Sequence, residues 1–149
     1  MRPGSRTLPA EHERLGFDTN LIIYFLQDHP RYGMWCAALF DQIERGRVSA
    51  VTSTLSLLEV LVQPYRQKNE ELVQKIFALL TTYPRIVWEP VTLEVADRAA
   101  ELRARYRLST PDAIQVATAM ASHADRFYGN DKALRRVTDI ECVILDDLV

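Results

Sequence analysis

Four carboxylates in this chain have the residue types and settings that metal-assisted chemistry needs: Asp18, Glu59, Asp112 and Asp131. Asp18 follows a short apolar run and is followed by Thr19 and Asn20. Glu59 sits in Leu57-Leu58-Glu59-Val60-Leu61-Val62, with apolar neighbours on both sides. A carboxylate in such a helix is costly unless it meets water, a cation or a proton. Asp112 lies in Thr110-Pro111-Asp112, and Asp131 in Gly129-Asn130-Asp131-Lys132. Carboxylates gathered at one place repel one another, and such clusters mostly hold hard cations. Mg2+ and Mn2+ prefer oxygen ligands and keep part of their water. A cation so held activates water and neutralises charge on a phosphodiester, which is hydrolysis without a histidine base. His12, His29 and His123 belong to no constellation of their own.

Each acid also has a structural reading. Asp18 suits an N-cap, Asp112 a first-turn acid beside a helix dipole, and Asp131 a turn. Glu59 has the weakest structural reading, because its helix offers almost no other polar surface.

The elements around these acids alternate in type. Leu15-Gly16-Phe17 reads as a short strand, and Asp18-Thr19-Asn20 caps a strongly apolar helix that Pro30 ends. A second helix covers Met34 to Arg45 and stops at Gly46. Val48–Val51 is a strand; Thr52, Ser53 and Thr54 cap the helix that carries Glu59, which Pro64 kinks or ends. Asn69 opens another amphipathic helix, and RIVWEPV reads as a buried strand. A long helix from Thr92 to Arg105 precedes the helix that starts at Thr110-Pro111-Asp112. DRFYG is strand-like, Asp131 opens a short helix, and CVIL is the last strand. The alternation predicts an α/β domain with a parallel sheet of about five strands and helices on both faces. In such sheets ligands bind at the carboxyl ends of the strands, where all four acids fall.

With 149 residues the chain is one domain by length, and 48% hydrophobic with 26% charged residues excludes disorder and low complexity. Residues 1–13 are polar, with Pro3, Gly4 and Pro9, and read as a flexible arm before a domain over 14–149. A net charge of −2 excludes a general polyanion binder, so any nucleic-acid contact rests on a local basic rim or on bound metal. Lys132 and Arg136, beside Asp131, are the candidates for phosphate contact. Arg103, Arg105 and Arg107 precede Asp112, and Arg103 and Arg105 read equally well as a solvated face. No apolar run is long enough for a membrane span, and the first residues lack a signal-like stretch. Cys36 and Cys142 have no CxxC spacing, which argues against structural zinc and suits a cytoplasmic protein. Met34, Trp35, Leu39, Phe40 and Ile43 make one helix unusually apolar; it reads as a dimer interface or partner groove, or as core.

Four segments in order resemble the PIN-domain family, specifically the VapC-like toxins of VapBC-type toxin–antitoxin pairs. They are GFDTNLII with Asp18 and Asn20, TSTLSLLEVL with Glu59, STPDAIQVATAM with Asp112, and YGNDKALRRV with Asp131. The resemblance runs from Leu15 to the C-terminus. It implies a five-stranded parallel sheet, Mg2+- or Mn2+-dependent endoribonuclease activity on RNA, a homodimer and inhibition by a small cognate antitoxin. Asp18, Glu59, Asp112 and Asp131 would be the catalytic, metal-binding quartet. Thr19 and Asn20 would support the first acid, and Asn130 the last. Two features depart from the pattern: 17 residues precede Asp18, and Gly129 stands before Asn130 where Thr or Ser is usual.

Two other readings remain open at this level. A PIN nuclease of RNA maturation would share every motif. A non-catalytic module with an acidic pocket would bind a partner instead. A phosphate-accepting receiver would need an Asp at the end of the third strand, where this chain has Glu89 and Pro90.

Overall fold

Local signals of capping and alternation are realised along the chain, and residues 8–149 are described by a computed structural model. The order is β1 (Arg14–Phe17), α1 (Thr19–Leu26), α2 (Gly33–Glu44), β2 (Ser49–Ser53), α3 (Thr54–Arg66), α4 (Glu70–Thr82), β3 (Ile86–Glu89), α5 (Leu93–Tyr106), α6 (Thr110–Ala121), β4 (Arg126–Gly129) and β5 (Glu141–Ile144). Short 3-10 turns span Lys132–Arg136 and Leu145–Asp147. The five strands are all parallel, in the order β3-β2-β1-β4-β5. This is the expected α/β architecture.

Alternation along the strands builds two cores. Leu15 and Phe17 of β1 and Tyr128 of β4 face a cluster with Leu21, Trp35, Leu39, Phe40 and Ile43 of α1 and α2. Phe127 and Ile144 face the other way, against Leu102, Ala113, Val116 and Ala117 of α5 and α6. Gly16 lets α6 lie directly on the central strand: a Cβ there would stand 2.6 Å from Ala119 Cβ. Strand order reverses between β1 and β4, since β2 and β3 lie to one side of β1 and β4 and β5 to the other. Such a reversal opens a crevice at the carboxyl ends of the strands. Asp18 follows β1 and Asp131 follows β4, so both lie at that crevice.

Several expectations change on contact with the structure. RIVWEPV is not a buried strand. β3 is an edge strand, with only Ile86 buried and Val87 43% exposed, because it has a neighbour on one side alone. α3 continues past Pro64 to Arg66, with Pro64 buried. The apolar residues of α2 are core, not an interface: Trp35, Leu39, Phe40 and Ile43 are all buried, and Met34 alone of the five is exposed. Several exposed large apolar side chains lie instead on α3 and α4, at Leu58, Tyr65, Leu72, Phe77 and Leu79, and Leu93 at the start of α5 is exposed as well.

Of the expected arm, residues 1–7 lie outside the described residues. In its remainder Leu8 packs on the core, Pro9 and Glu13 are buried, and His12 N–H donates to Arg47 O at 2.7 Å. Glu13 accepts from Arg126 Nη1 and from the Tyr128 hydroxyl, each at 3.3 Å. Among the described residues no helix is long and apolar enough to cross a membrane.

Candidate functional site

Asp18 is the N-cap of α1, so the strand–helix junction itself aims its carboxyl. Oδ1 accepts from Asn20 N–H at 2.9 Å, while Asp18 N–H donates to Tyr128 O at 3.0 Å and ties the junction to β4. The carboxyl is buried, and burial pushes its pKa up to about 7. The nearby Asp112 charge adds to the rise, and the backbone N–H groups of Asn20, Asn130 and Leu21 oppose it.

Glu59 lies on α3, one turn after Ser56, and accepts from Thr19 Oγ1 at 2.8 Å. Among the described residues no Lys or Arg is ion-paired with it. The acid stranded in an apolar helix is therefore turned toward the junction that carries Asp18. Asp112 lies in the first turn of α6, whose N-cap is Ser109; the Ser109 hydroxyl accepts from Asp112 N–H at 3.3 Å. Asp112 Oδ2 is buried, and among the described residues no donor reaches it. Burial first, then the carboxyl of Asp131 and the charge of Glu59, raise the Asp112 pKa to about 6, against the lowering effect of Ser109. Asp131 caps the Lys132–Arg136 turn and accepts from Ala133 N–H at 2.8 Å. That bond, then the Asp112 carboxyl and the Arg136 charge, hold Asp131 below the usual carboxylate range. Asp112 is thus the hub: it feels Asp18, Glu59 and Asp131.

The supporting residues divide. Thr19 is buried and reaches both Glu59 and Ser56. Asn20 supports Asp18 through its backbone and lines the cleft. Asn130 also acts on Asp18 through its backbone N–H. Its side chain is committed elsewhere, donating to the Tyr24 hydroxyl at 3.1 Å and accepting from Asp146 N–H at 2.9 Å. Lys132 and Arg136 are exposed on the turn after Asp131. Arg136 Nη1 donates to Tyr106 O at 3.0 Å, and Arg105 pairs with Asp139 at 3.1 Å, so part of the basic rim is already engaged.

Sequence reasoning missed a layer beneath the acids. Thr52, Ser56 and Gln115 are buried polar residues that hydrogen-bond to one another and to Thr19. The signal was present in AIQVATAM, where Gln115 interrupts an apolar run three residues after Asp112.

Asp18, Thr19, Asn20, Glu59, Pro111, Asp112 and Gln115 line a cleft of about 60 Å³. That volume holds a few waters, one water needing roughly 10–15 Å³. Among the described residues no three His, Cys, Asp or Glu side chains stand close enough to grip one ion directly. The donor set still fits a hard, hydrated cation: every acid offers oxygen, two acids are pushed toward neutrality by burial and mutual charge, and among the described residues no donor reaches Asp112 Oδ2. Mg2+ characteristically retains waters and takes only one or two carboxylates.

The PIN domain family matches residues 17–140. Comparison with curated proteins gives no match. Among solved structures, a toxin–antitoxin complex from Klebsiella pneumoniae is similar with 24% identity and a TM-score of 0.65, covering 89% of this chain and 98% of that one. VapBC-1 from nontypeable Haemophilus influenzae has 17% identity and a TM-score of 0.68, with 89% and 98% covered. VapC20 of Mycobacterium tuberculosis, a toxin that cleaves the sarcin-ricin loop, has 17% identity and a TM-score of 0.63, with 80% and 91% covered. At these identities the likeness is one of fold.

Proposed function

The chain belongs to the PIN domain family, and from that premise we propose that it is a Mg2+- or Mn2+-dependent endoribonuclease acting as the toxin of a toxin–antitoxin pair. The observation that carries the reading is Asp112 Oδ2, a buried oxygen of a half-buried carboxyl that no donor reaches among the described residues, set among three other acids at the crevice where strand order reverses. A buried polar oxygen without a partner is rare in a folded protein, and a cation or its water satisfies it.

Asp18, Glu59 and Asp112 would hold the cation partly through its retained waters, with Asp131 completing the set. When bound, the cation would activate a water and neutralise charge on the phosphodiester. The chain's own residues orient the donors. Backbone N–H groups of Asn20 and Asn130 hold Asp18, and the Thr19 hydroxyl holds Glu59. Lys132 and Arg136, on the turn after Asp131, would contact RNA phosphates and fix the strand without reading its sequence.

The proposed protein partner is a small antitoxin. Two of the similar structures are a toxin–antitoxin complex and VapBC-1. An open apolar groove on α3, lined by Leu57, Leu58, Leu61, Val62 and Tyr65, supports a docking surface for an apolar helix or segment.

The test is RNA cleavage by the purified protein with Mg2+, Mn2+ or EDTA. Cleavage with metal, abolished by EDTA and by Asp112→Asn, is expected. Cleavage that persists in EDTA overturns the metal reading, and no cleavage of any RNA with either metal overturns the nuclease reading.

A further inference from the structure

Gln115 is 2% exposed and sits one helical turn after Asp112 on α6. Its amide is oriented by an unambiguous donor. Ser53 N–H points at Oε1 at 3.4 Å, and the Thr52 hydroxyl lies 3.5 Å from the same oxygen. The amide nitrogen therefore faces the other way, donating to Ser56 Oγ at 2.6 Å and to Thr19 Oγ1 at 3.4 Å.

Thr19 has one proton and two acceptors in reach, Ser56 Oγ at 3.0 Å and Glu59 Oε1 at 2.8 Å. Ser56 Oγ already receives the amide. The carboxylate is nearer and charged, and charge-assisted bonds are roughly twice as strong as neutral ones. The donor chain thus runs from Gln115 through Thr19 to Glu59. It ties together the three segments that carry Asp18, Glu59 and Asp112.

We infer that Gln115 is a positioning residue for Glu59: through the Thr19 hydroxyl it fixes the direction in which the Glu59 carboxylate is presented to the cleft. The inference rests on the metal-binding reading above. A buried amide satisfied on both sides has little freedom to turn, so the hydroxyl it feeds has a single favourable direction in which to donate. The same logic governs groups behind metal ligands generally, whose loss weakens metal binding without removing a ligand.

The experiment is Mn2+ binding by calorimetry, well below the melting temperature of each protein, for wild type, Gln115→Met, Thr19→Val, Thr19→Ser and the Gln115→Met/Thr19→Val double variant. Gln115→Met and Thr19→Val are each expected to weaken Mn2+ binding about 10- to 100-fold. Thr19→Ser, which keeps the hydroxyl, is expected to bind as wild type does. The double variant is expected to be no weaker than the weaker single variant, because both cut one chain. If Gln115 serves packing alone, Gln115→Met lowers the melting temperature of the metal-free protein and leaves Mn2+ affinity unchanged, which overturns the assignment. If wild type binds no Mn2+, the functional reading falls and the assignment with it, a result distinct from wild-type binding that Gln115→Met leaves intact. Should Gln115→Met fail to fold, Thr19→Val decides. Wild-type affinity there overturns the assignment, and weakened binding with Thr19→Ser intact supports it.

Discussion

The carboxylate of Asp18 occupies the space that a side chain at position 129 would need: a Cβ on Gly129 would stand 2.8 Å from Asp18 Oδ2 and 2.6 Å from Leu134 Cδ1. Real Cβ contacts are not this short, so glycine is the residue that lets β4 pass beside the first acid. Gly129→Ser, which restores the hydroxyl usual in the pattern this chain resembles, is therefore expected to be harmful here. Overpacking of this kind costs about 1–3 kcal/mol, and in a chain of this size each 1 kcal/mol lowers Tm by roughly 2–4 °C. Thermal unfolding of Gly129→Ala and Gly129→Ser checks it; an unchanged Tm in both would mean that Asp18 moves aside freely.

The metal-free protein should lose stability as pH rises. Asp18 has a folded pKa of about 7 against an ordinary 3.8. Between those values the folded protein keeps a proton that the unfolded chain has released. The contribution of neutral Asp18 is thus complete below about pH 4 and gone once pH passes about 7. A shift of about 3 units corresponds to roughly 4 kcal/mol. Asp112, raised to about 6, acts in the same direction over a narrower window. Asp131 is lowered, so its effect falls below the ordinary carboxylate range and does not oppose this slope. Denaturant midpoints measured in EDTA from pH 5 to pH 8 should fall, and Asp18→Asn should flatten the curve. A rising curve would contradict the assignment.

Glu59→Gln separates ligand from scaffold. The residue has a hydroxyl partner and, among the described residues, no cationic one. Gln keeps an oxygen for Thr19 while removing the charge. Melting in EDTA is expected to match wild type or exceed it slightly, and RNA cleavage is expected to fall by orders of magnitude. A variant that melts well below wild type in EDTA yet keeps its activity would make Glu59 a structural acid.

Metal should stabilise the folded chain by mass action. At a concentration of 100 times Kd the gain is about 2.7 kcal/mol, or about 5–10 °C in Tm at this chain length. Asp112→Asn should abolish that rise, since Asp112 is the acid that the other three approach. In EDTA it should melt no lower than wild type, because one of several repelling charges is gone. Equal Mn2+-induced shifts in wild type and Asp112→Asn would remove Asp112 from the ligand set.

Much of this was written in local order along the chain. Asp18, Ser53, Asn69 and Thr92 cap the helices that follow them, and each cap is a contact between residues two or three positions apart. Short apolar and β-branched runs marked the strands in the same way. The strand-to-helix order then placed the acids at the carboxyl ends, because parallel strands bring every such junction to one edge of the sheet. Burial and networks are not local. Nothing in RIVWEPV says that β3 has a neighbour on one side only, and nothing in Met34–Ile43 says that α2 spends its apolar face on the core beneath α1. Gln115 reads as one polar residue in an apolar helix until folding brings it to Thr19, 96 positions away, and to Ser56, 59 positions away. The requirement for Gly129 arises only when β4 runs beside Asp18. Sequence by itself determined which residue types stand at each strand–helix junction. The tertiary structure alone decided which of them touch, because contact depends on what the rest of the chain packs against each element.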